Sequence, residues 1–199
     1  DNECPVIYTS SSMVYGDFQT SSVTEEAPKD PKDIYGSIKL AGEIISAGYR
    51  KRYGIDVRTV RPTAVYGPFD ANQRVLYKFI TRALRGEALH IDGDGSMALD
   101  FTYVDDTANG IFRVATIDAA KGETFNIARG KSETLSAAVS IISETIGDVQ
   151  VEYGEVPAHI PTRGTLDVTK AREMLGFEPQ YGLDTALPGY IEHLRHNSI

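Results

Sequence analysis

Tryptophan is absent from the 199 residues, cysteine occurs once and histidine four times. A lone Cys4 excludes an intrachain disulfide and any cysteine-built zinc site, and it accords with a reducing compartment. His90, His159, His193 and His196 are scattered, and the last two have no third ligand beside them, so no metal site is expected. No apolar run approaches the roughly 20 residues that a membrane helix needs. Nor does a charged leader precede the first apolar run, Val6-Ile7-Tyr8. Positive charge is in deficit: 20 Lys and Arg stand against 28 Asp and Glu, a net charge of −8. That balance argues against a general nucleic-acid binder, whose phosphate contacts require a basic face. An anionic ligand would need a local basic pocket. Neither a membrane nor a nucleic acid is expected as a partner, and the cytoplasm is the expected compartment.

What is present alternates between strand-like and helix-like segments, the pattern of an α/β fold with a parallel sheet covered by helices. Strands are expected near residues 5–9, 57–65, 89–91, 100–104, 124–128 and 149–153. Asp33 is placed to cap a helix over 34–53, which Gly54 stops. Further helices are expected at 73–85, from the Asp105-Asp106 cap to 117, and at 134–146, 168–175 and 183–195. Residues 17–32 are rich in polar residues and proline and read as a loop.

Tyr35 and Lys39 lie four residues apart at the start of the first helix and so share one face. An ammonium there stabilises a phenolate and lets a tyrosine accept a proton near neutrality, although its ordinary pKa is about 10. Tyr-x-x-x-Lys occurs by chance in many helices, and alone it is better explained by a solvated surface pair. The run Ser10-Ser11-Ser12, at the end of the preceding strand, adds a hydroxyl able to reach the same substrate oxygen.

Taken together, several motifs resemble the extended short-chain dehydrogenase/reductases, in particular the NAD-dependent epimerase/dehydratase group. They are Ser10-Ser11-Ser12-Met13-Val14-Tyr15-Gly16, Tyr35-Gly36-Ser37-Ile38-Lys39, Arg61-Pro62-Thr63-Ala64-Val65-Tyr66-Gly67-Pro68 and Asp100-Phe101-Thr102-Tyr103-Val104-Asp105-Asp106. Phe125-Asn126-Ile127 and the stretch Lys170 to Pro179 continue the match in order. The resemblance implies a carboxyl-side part of a Rossmann-type parallel sheet, formed by 1–67 and 99–128. Residues 68–98 and 129–199 would mainly form a small α/β substrate-binding lobe. It further implies Tyr35 as acid/base, Ser11 as the catalytic hydroxyl with Ser12 its nearest competitor, and Lys39 on the nicotinamide ribose. Ser10, Pro62, Thr63 and Val65 are expected near the cofactor with Tyr35 and Lys39. Ser12, Tyr15, Arg74 and Arg163 are expected near the substrate, with Tyr66 also lining the cleft. NAD is the implied cofactor, with NADP left open, and the reaction is epimerisation of a sugar or nucleotide sugar through a transient keto intermediate. A homodimer through the helix at 34–53 is implied as well.

Three departures qualify this expectation. The strand, glycine-rich turn and helix with which such proteins begin is missing, so the chain reads as a carboxyl-side piece expected to hold NAD poorly by itself. The nearest glycine cluster, Asp92-Gly93-Asp94-Gly95, carries two carboxylates that would repel a pyrophosphate. Leu99 stands where many nucleotide-sugar relatives have an arginine, which leaves Arg163, Arg74 or Arg82 to supply positive charge and a reductase or dehydrogenase on a non-nucleotide substrate as the rival enzyme. Ser12-Met13 replaces the Asp-Glu of dehydratase relatives, which disfavours elimination of water. A non-catalytic binding or oligomerisation module is the remaining alternative.

Overall fold

The computed structural model describes residues 4–197, so 1–3 and 198–199, the outer ends of the expected division, lie outside the described residues. In chain order the elements are β1 (Val6–Thr9), a 3-10 turn (Ser12–Tyr15), β2 (Ser22–Val23), α1 (Ile34–Tyr53), β3 (Val57–Pro62) and β4 (Val65–Tyr66). Next come α2 (Val75–Leu84), β5 (Leu89–Asp92), β6 (Ala98–Leu99), β7 (Thr102–Tyr103) and α3 (Val104–Thr116). The chain continues with β8 (Thr124–Ile127), β9 (Glu133–Thr134), α4 (Leu135–Ile146), β10 (Val151–Gly154), β11 (Thr165–Leu166), α5 (Thr169–Leu175) and α6 (Leu183–Asn197).

β1, β3 and β8 form a parallel sheet in that order, with Val6 opposite Val57 and Thr59 opposite Thr124. The period of two sends alternate β3 side chains to opposite faces. Val60 packs with Val114 of α3, Phe125 and Ile127, while Arg61 reaches Glu43 of α1 on the other face. Arg58, on the α3 side, gives its guanidinium to the Val114, Ala115 and Ile117 carbonyls, where a cation meets the negative end of a helix. A second core lies away from this sheet. There α2, α4 and α6 bury Leu76, Ile80, Ile142, Leu187 and Ile191 against the parallel pair of β5 and β10. The tail divides between the two: α5 packs on the sheet side through Ala171 and Leu175, and α6 packs in the second core.

Several expected boundaries shift for identifiable reasons. The strand expected over 57–65 ends at Pro62, which has no N–H to donate, and Ala64 turns the chain with a φ of 38° before β4 pairs with β7. α2 starts at Val75 because Asp70 accepts the Asn72 and Arg74 amides and Gln73 adopts a φ of 49°. Asp105 and Asp106 lie inside the first turn of α3 instead of capping it. The buried Asp106 carboxylate accepts the Gln180 and Tyr181 amides and so ties the tail to this helix.

Asp100 carries a pH-dependent part of the stability. Its carboxylate is fully buried; one oxygen accepts the Gly130 and Leu166 amides, and the other has no partner among the described residues. Burial outweighs the backbone bonds and pushes its pKa up to about 6. A carboxyl with a raised folded pKa contributes stability below its unfolded pKa and loses it as pH rises through 6. Asp100→Asn keeps an acceptor for both amides and removes the titration. From pH 5 to 7.5 the parent should lose about 1–2 kcal/mol relative to Asp100→Asn. Urea unfolding of both proteins at the two pH values checks this, and parallel changes would contradict it.

Candidate active site

The carboxyl end of β1 runs into the serine segment. Ser10 keeps the sheet register by donating its amide to the Val60 carbonyl, 2.8 Å away. Ser11 caps the short turn that follows, its Oγ accepting the Met13 amide at 3.1 Å. That bond uses an acceptor site and leaves the hydroxyl hydrogen for a ligand oxygen.

α1 begins and ends as the sequence predicts. Asp33 accepts the Gly36 amide at 2.7 Å, and Gly54 closes the helix in the left-handed conformation with φ 68°. Gly36 allows the first turn to press on the serine segment, since a Cβ there would lie 2.6 Å from the Met13 carbonyl oxygen. Tyr35 and Lys39 follow on one face. The Lys39 ammonium donates to the Thr9 carbonyl at 2.9 Å and stands 5.6 Å from the centre of the Tyr35 ring. Lysine, tyrosine and serine therefore meet where β1 ends.

They line a cleft of about 600 Å³. Ser10, Ser11, Ser12, Tyr35 and Lys39 contribute to its wall, and Pro62, Thr63 and Val65 line it from the end of β3 onward. Tyr66, Leu99 and Arg74 also face it. Arg74 is paired with Asp70 at 2.6 Å. Arg163 reaches in from the tail, donating to Ser12 Oγ at 2.6 Å and Thr63 Oγ1 at 2.7 Å, and makes no ion pair among the described residues. Burial draws its pKa down to about 10, so it stays charged at neutral pH. Arg82 bonds the Ala88 carbonyl and does not line this cleft.

Tyr15 is a correction. It is expected to face substrate but is 3% exposed, packs with Val14, Val23 and Leu166, and does not line the cleft. Its hydroxyl donates to Asn126 Oδ1 at 2.7 Å and accepts from Arg61 Nη1 at 2.8 Å. Burial pushes this phenol up to about 12.

Sequence reasoning missed the polar layer beneath the site. Arg61 grips Glu43 of α1 with Nε at 2.9 Å and Nη2 at 2.6 Å, and Ser10 donates its hydroxyl to the same carboxylate. Arg61 also bonds the Glu25 carbonyl, and Glu25 Oε1 accepts the Asn126 amide. Two signals were available: Glu43 continues the four-residue spacing of Tyr35 and Lys39, and an arginine in a strand expected to be buried demands a buried partner. Among the described residues no group of three or more His, Cys, Asp or Glu could hold a metal ion. No helix there is long and apolar enough to cross a membrane.

Residues 2–128 match the model of the NAD dependent epimerase/dehydratase family. A UDP-glucose 4-epimerase of Mycolicibacterium smegmatis is 31% identical over 202 residues, covering 97% of this chain and 63% of that protein. A dTDP-glucose 4,6-dehydratase of Streptomyces griseus is 30% identical over 183 residues, covering 91% of this chain and 56% of that protein. The crystal structure of UDP-glucuronic acid 4-epimerase from Bacillus cereus, in complex with UDP-glucuronic acid and NAD, superposes with a TM-score of 0.92 at 26% identity. That superposition covers 96% of this chain and 62% of the other, and it identifies the parallel sheet as Rossmann-type. The chain thus spans about three fifths of the length of these relatives. From the motif at Ser11, Tyr35 and Lys39, the shared sheet and the family match over residues 2–128, this chain belongs to the NAD dependent epimerase/dehydratase family.

Proposed function

We propose that the protein acts in an NAD(P)-dependent epimerisation of a nucleotide sugar through a transient keto intermediate. The observation that carries this reading is the convergence of Ser11, Tyr35 and Lys39 on one wall of the cleft. Tyr35 takes the proton of the reacting sugar hydroxyl. Ser11, with its hydroxyl hydrogen uncommitted, donates to the same oxygen as it becomes a carbonyl. Lys39, anchored on Thr9, keeps two further donor hydrogens, which suit the hydroxyls of a nicotinamide ribose beside Tyr35. Ser10, Pro62, Thr63 and Val65 form the adjoining wall. Bound NAD supplies the hydride acceptor and donor. After the keto sugar presents its other face, Tyr35 returns the proton and the inverted alcohol forms.

Arg163, charged and without a carboxylate partner among the described residues, is assigned to the anionic part of the substrate, with Ser12 beside it. Arg74 sits on the same cleft with its charge already shared with Asp70. The UDP- and dTDP-sugar names of the relatives support a nucleotide sugar. Pairing of two copies through α1 belongs to the same proposal, supported by the exposure of Ile34, Ile38, Ile45 and Tyr49 along that helix. Leu99 on the cleft wall, in place of a phosphate-binding arginine, favours one second reading, a dehydrogenase or reductase of a non-nucleotide substrate.

Product analysis separates the alternatives. The full-length protein is incubated with NAD and UDP-glucose, UDP-glucuronic acid or dTDP-glucose. An epimer without net change in nicotinamide absorbance is the expected result. A 4-keto-6-deoxy sugar would instead mean a dehydratase, and accumulating NADH a dehydrogenase.

A further inference from the structure

Of the 20 residues of α1 only Gly36 is buried. Ile34, Ile38, Ile44, Ile45, Tyr49 and Tyr53 are all exposed, so few apolar side chains help to set where the helix lies: Leu40 packs on the core around Val14, and Gly36 presses on the serine segment. Polar ties add to these contacts. The Tyr8 hydroxyl donates to the Lys39 carbonyl at 3.1 Å, and the Lys39 ammonium donates to Thr9. One turn further on, at i+8 from Tyr35, the Glu43 side chain turns under the cleft and takes both prongs of Arg61. The side chains of Arg61 and Glu43 are only 4% and 12% exposed.

The third donor to that carboxylate is the hydroxyl of Ser10, the residue before Ser11. A single carboxylate thus joins the helix that carries Tyr35, the central strand and the segment that carries Ser11. Ser10 has no hydroxyl hydrogen left for a ligand. Arg61 is fixed from behind in its turn, since Nη1 donates to the Tyr15 hydroxyl and the Glu25 carbonyl.

We propose that Glu43 and Arg61 are positioning residues: their buried ion pair, with the Ser10 hydroxyl bound to it, sets the separation between Tyr35 on α1 and Ser11 at the end of β1. The inference rests on the proposed roles of Tyr35 and Ser11. A fork-shaped guanidinium with two bonds to one carboxylate fixes direction as well as distance. That is what two catalytic hydroxyls on separate elements require, because small misplacements cost large factors in rate.

The test uses the double variant Glu43→Leu/Arg61→Met, which removes both charges at once and keeps side-chain volume, an exchange that buried pairs tolerate. Its melting temperature should stay within a few degrees of the parent and its sugar-nucleotide affinity within threefold. Its kcat should fall at least tenfold, and the basic limb of the kcat pH profile should move. Unchanged kcat with an unchanged profile would overturn the proposal. Arg61→Lys, which keeps the charge and loses the fork, serves if the double variant does not fold, and the same kcat loss is expected of it. Crystal structures of parent and variant provide a readout that needs no turnover. The gap between Tyr35 Oη and Ser11 Oγ should widen by about an ångström, and an unchanged gap would also overturn the proposal. Tyr35→Phe in the same assay keeps the two levels apart: parental turnover there would count against the catalytic reading itself.

Discussion

Tyr35→Phe is expected to lower turnover by about 10²–10⁴, the range that a positioned general acid/base contributes. The substitution removes one oxygen and little else. Tyr35 is 52% exposed, and its hydroxyl makes no hydrogen bond among the described residues. The Lys39 ammonium keeps its anchor on the Thr9 carbonyl and can still lie near a phenyl ring. The change in stability should therefore stay within about 0.5 kcal/mol, as at surface positions generally. Sugar-nucleotide affinity should change little, because the lost group acts on the proton in flight. Turnover, calorimetric affinity and melting temperature, measured on parent and variant, separate this pattern from a folding defect. A parallel loss of kcat and stability would place Tyr35 among structural residues.

The second large effect is on stability. Arg61→Met, with Glu43 left in place, should cost about 3–5 kcal/mol, the usual result of stripping one partner from a buried ion pair. Four bonds disappear together: two to Glu43, one to the Tyr15 hydroxyl and one to the Glu25 carbonyl. The Glu43 carboxylate, on a side chain only 12% exposed, keeps only the Ser10 hydroxyl. Adding Glu43→Leu to that background should recover most of the loss, since the penalty lies in the unpaired charge. Urea unfolding of the two single variants and the double variant closes the cycle. A cost below about 1 kcal/mol for Arg61→Met would mean that water or a neighbour replaces the guanidinium.

Much of this was legible in the sequence where a local rule decides the structure. Asp33 and Gly54 bound α1 because a carboxylate satisfies free amides at one end and glycine tolerates a positive φ at the other. Tyr35 and Lys39 share a face because helical spacing leaves them no choice. The serine run faces the cleft because it follows the carboxyl end of a parallel strand. Features that depend on a distant partner were less visible. The two-residue pairs β2 with β11 and β6 with β9 are too short for any periodicity to show. Asp106 looks like a cap in sequence, but 74 and 75 residues later the tail offers it two amides. Tyr15 precedes a glycine soon after a strand, a position expected to face the cleft, and tertiary packing with the Asn126 and Arg61 bonds takes it into the core instead. Glu43 was within reach of the spacing argument. It needed only the question of what neutralises an arginine in a central strand.

The most direct test of the central claim follows a hydrogen at carbon. Tyr35 is assigned the hydroxyl proton alone, so the hydrogen bound to the reacting carbon must leave and return as hydride without meeting solvent. A UDP-sugar carrying deuterium at the carbon that bears the reacting hydroxyl is incubated with the full-length protein and NAD in ordinary water, and the epimer is examined by NMR. The account predicts that the epimer keeps its deuterium at that carbon. Replacement of the label by solvent hydrogen would contradict it, because the base would then be drawing a proton from carbon and the Ser11, Tyr35 and Lys39 group would be doing different chemistry.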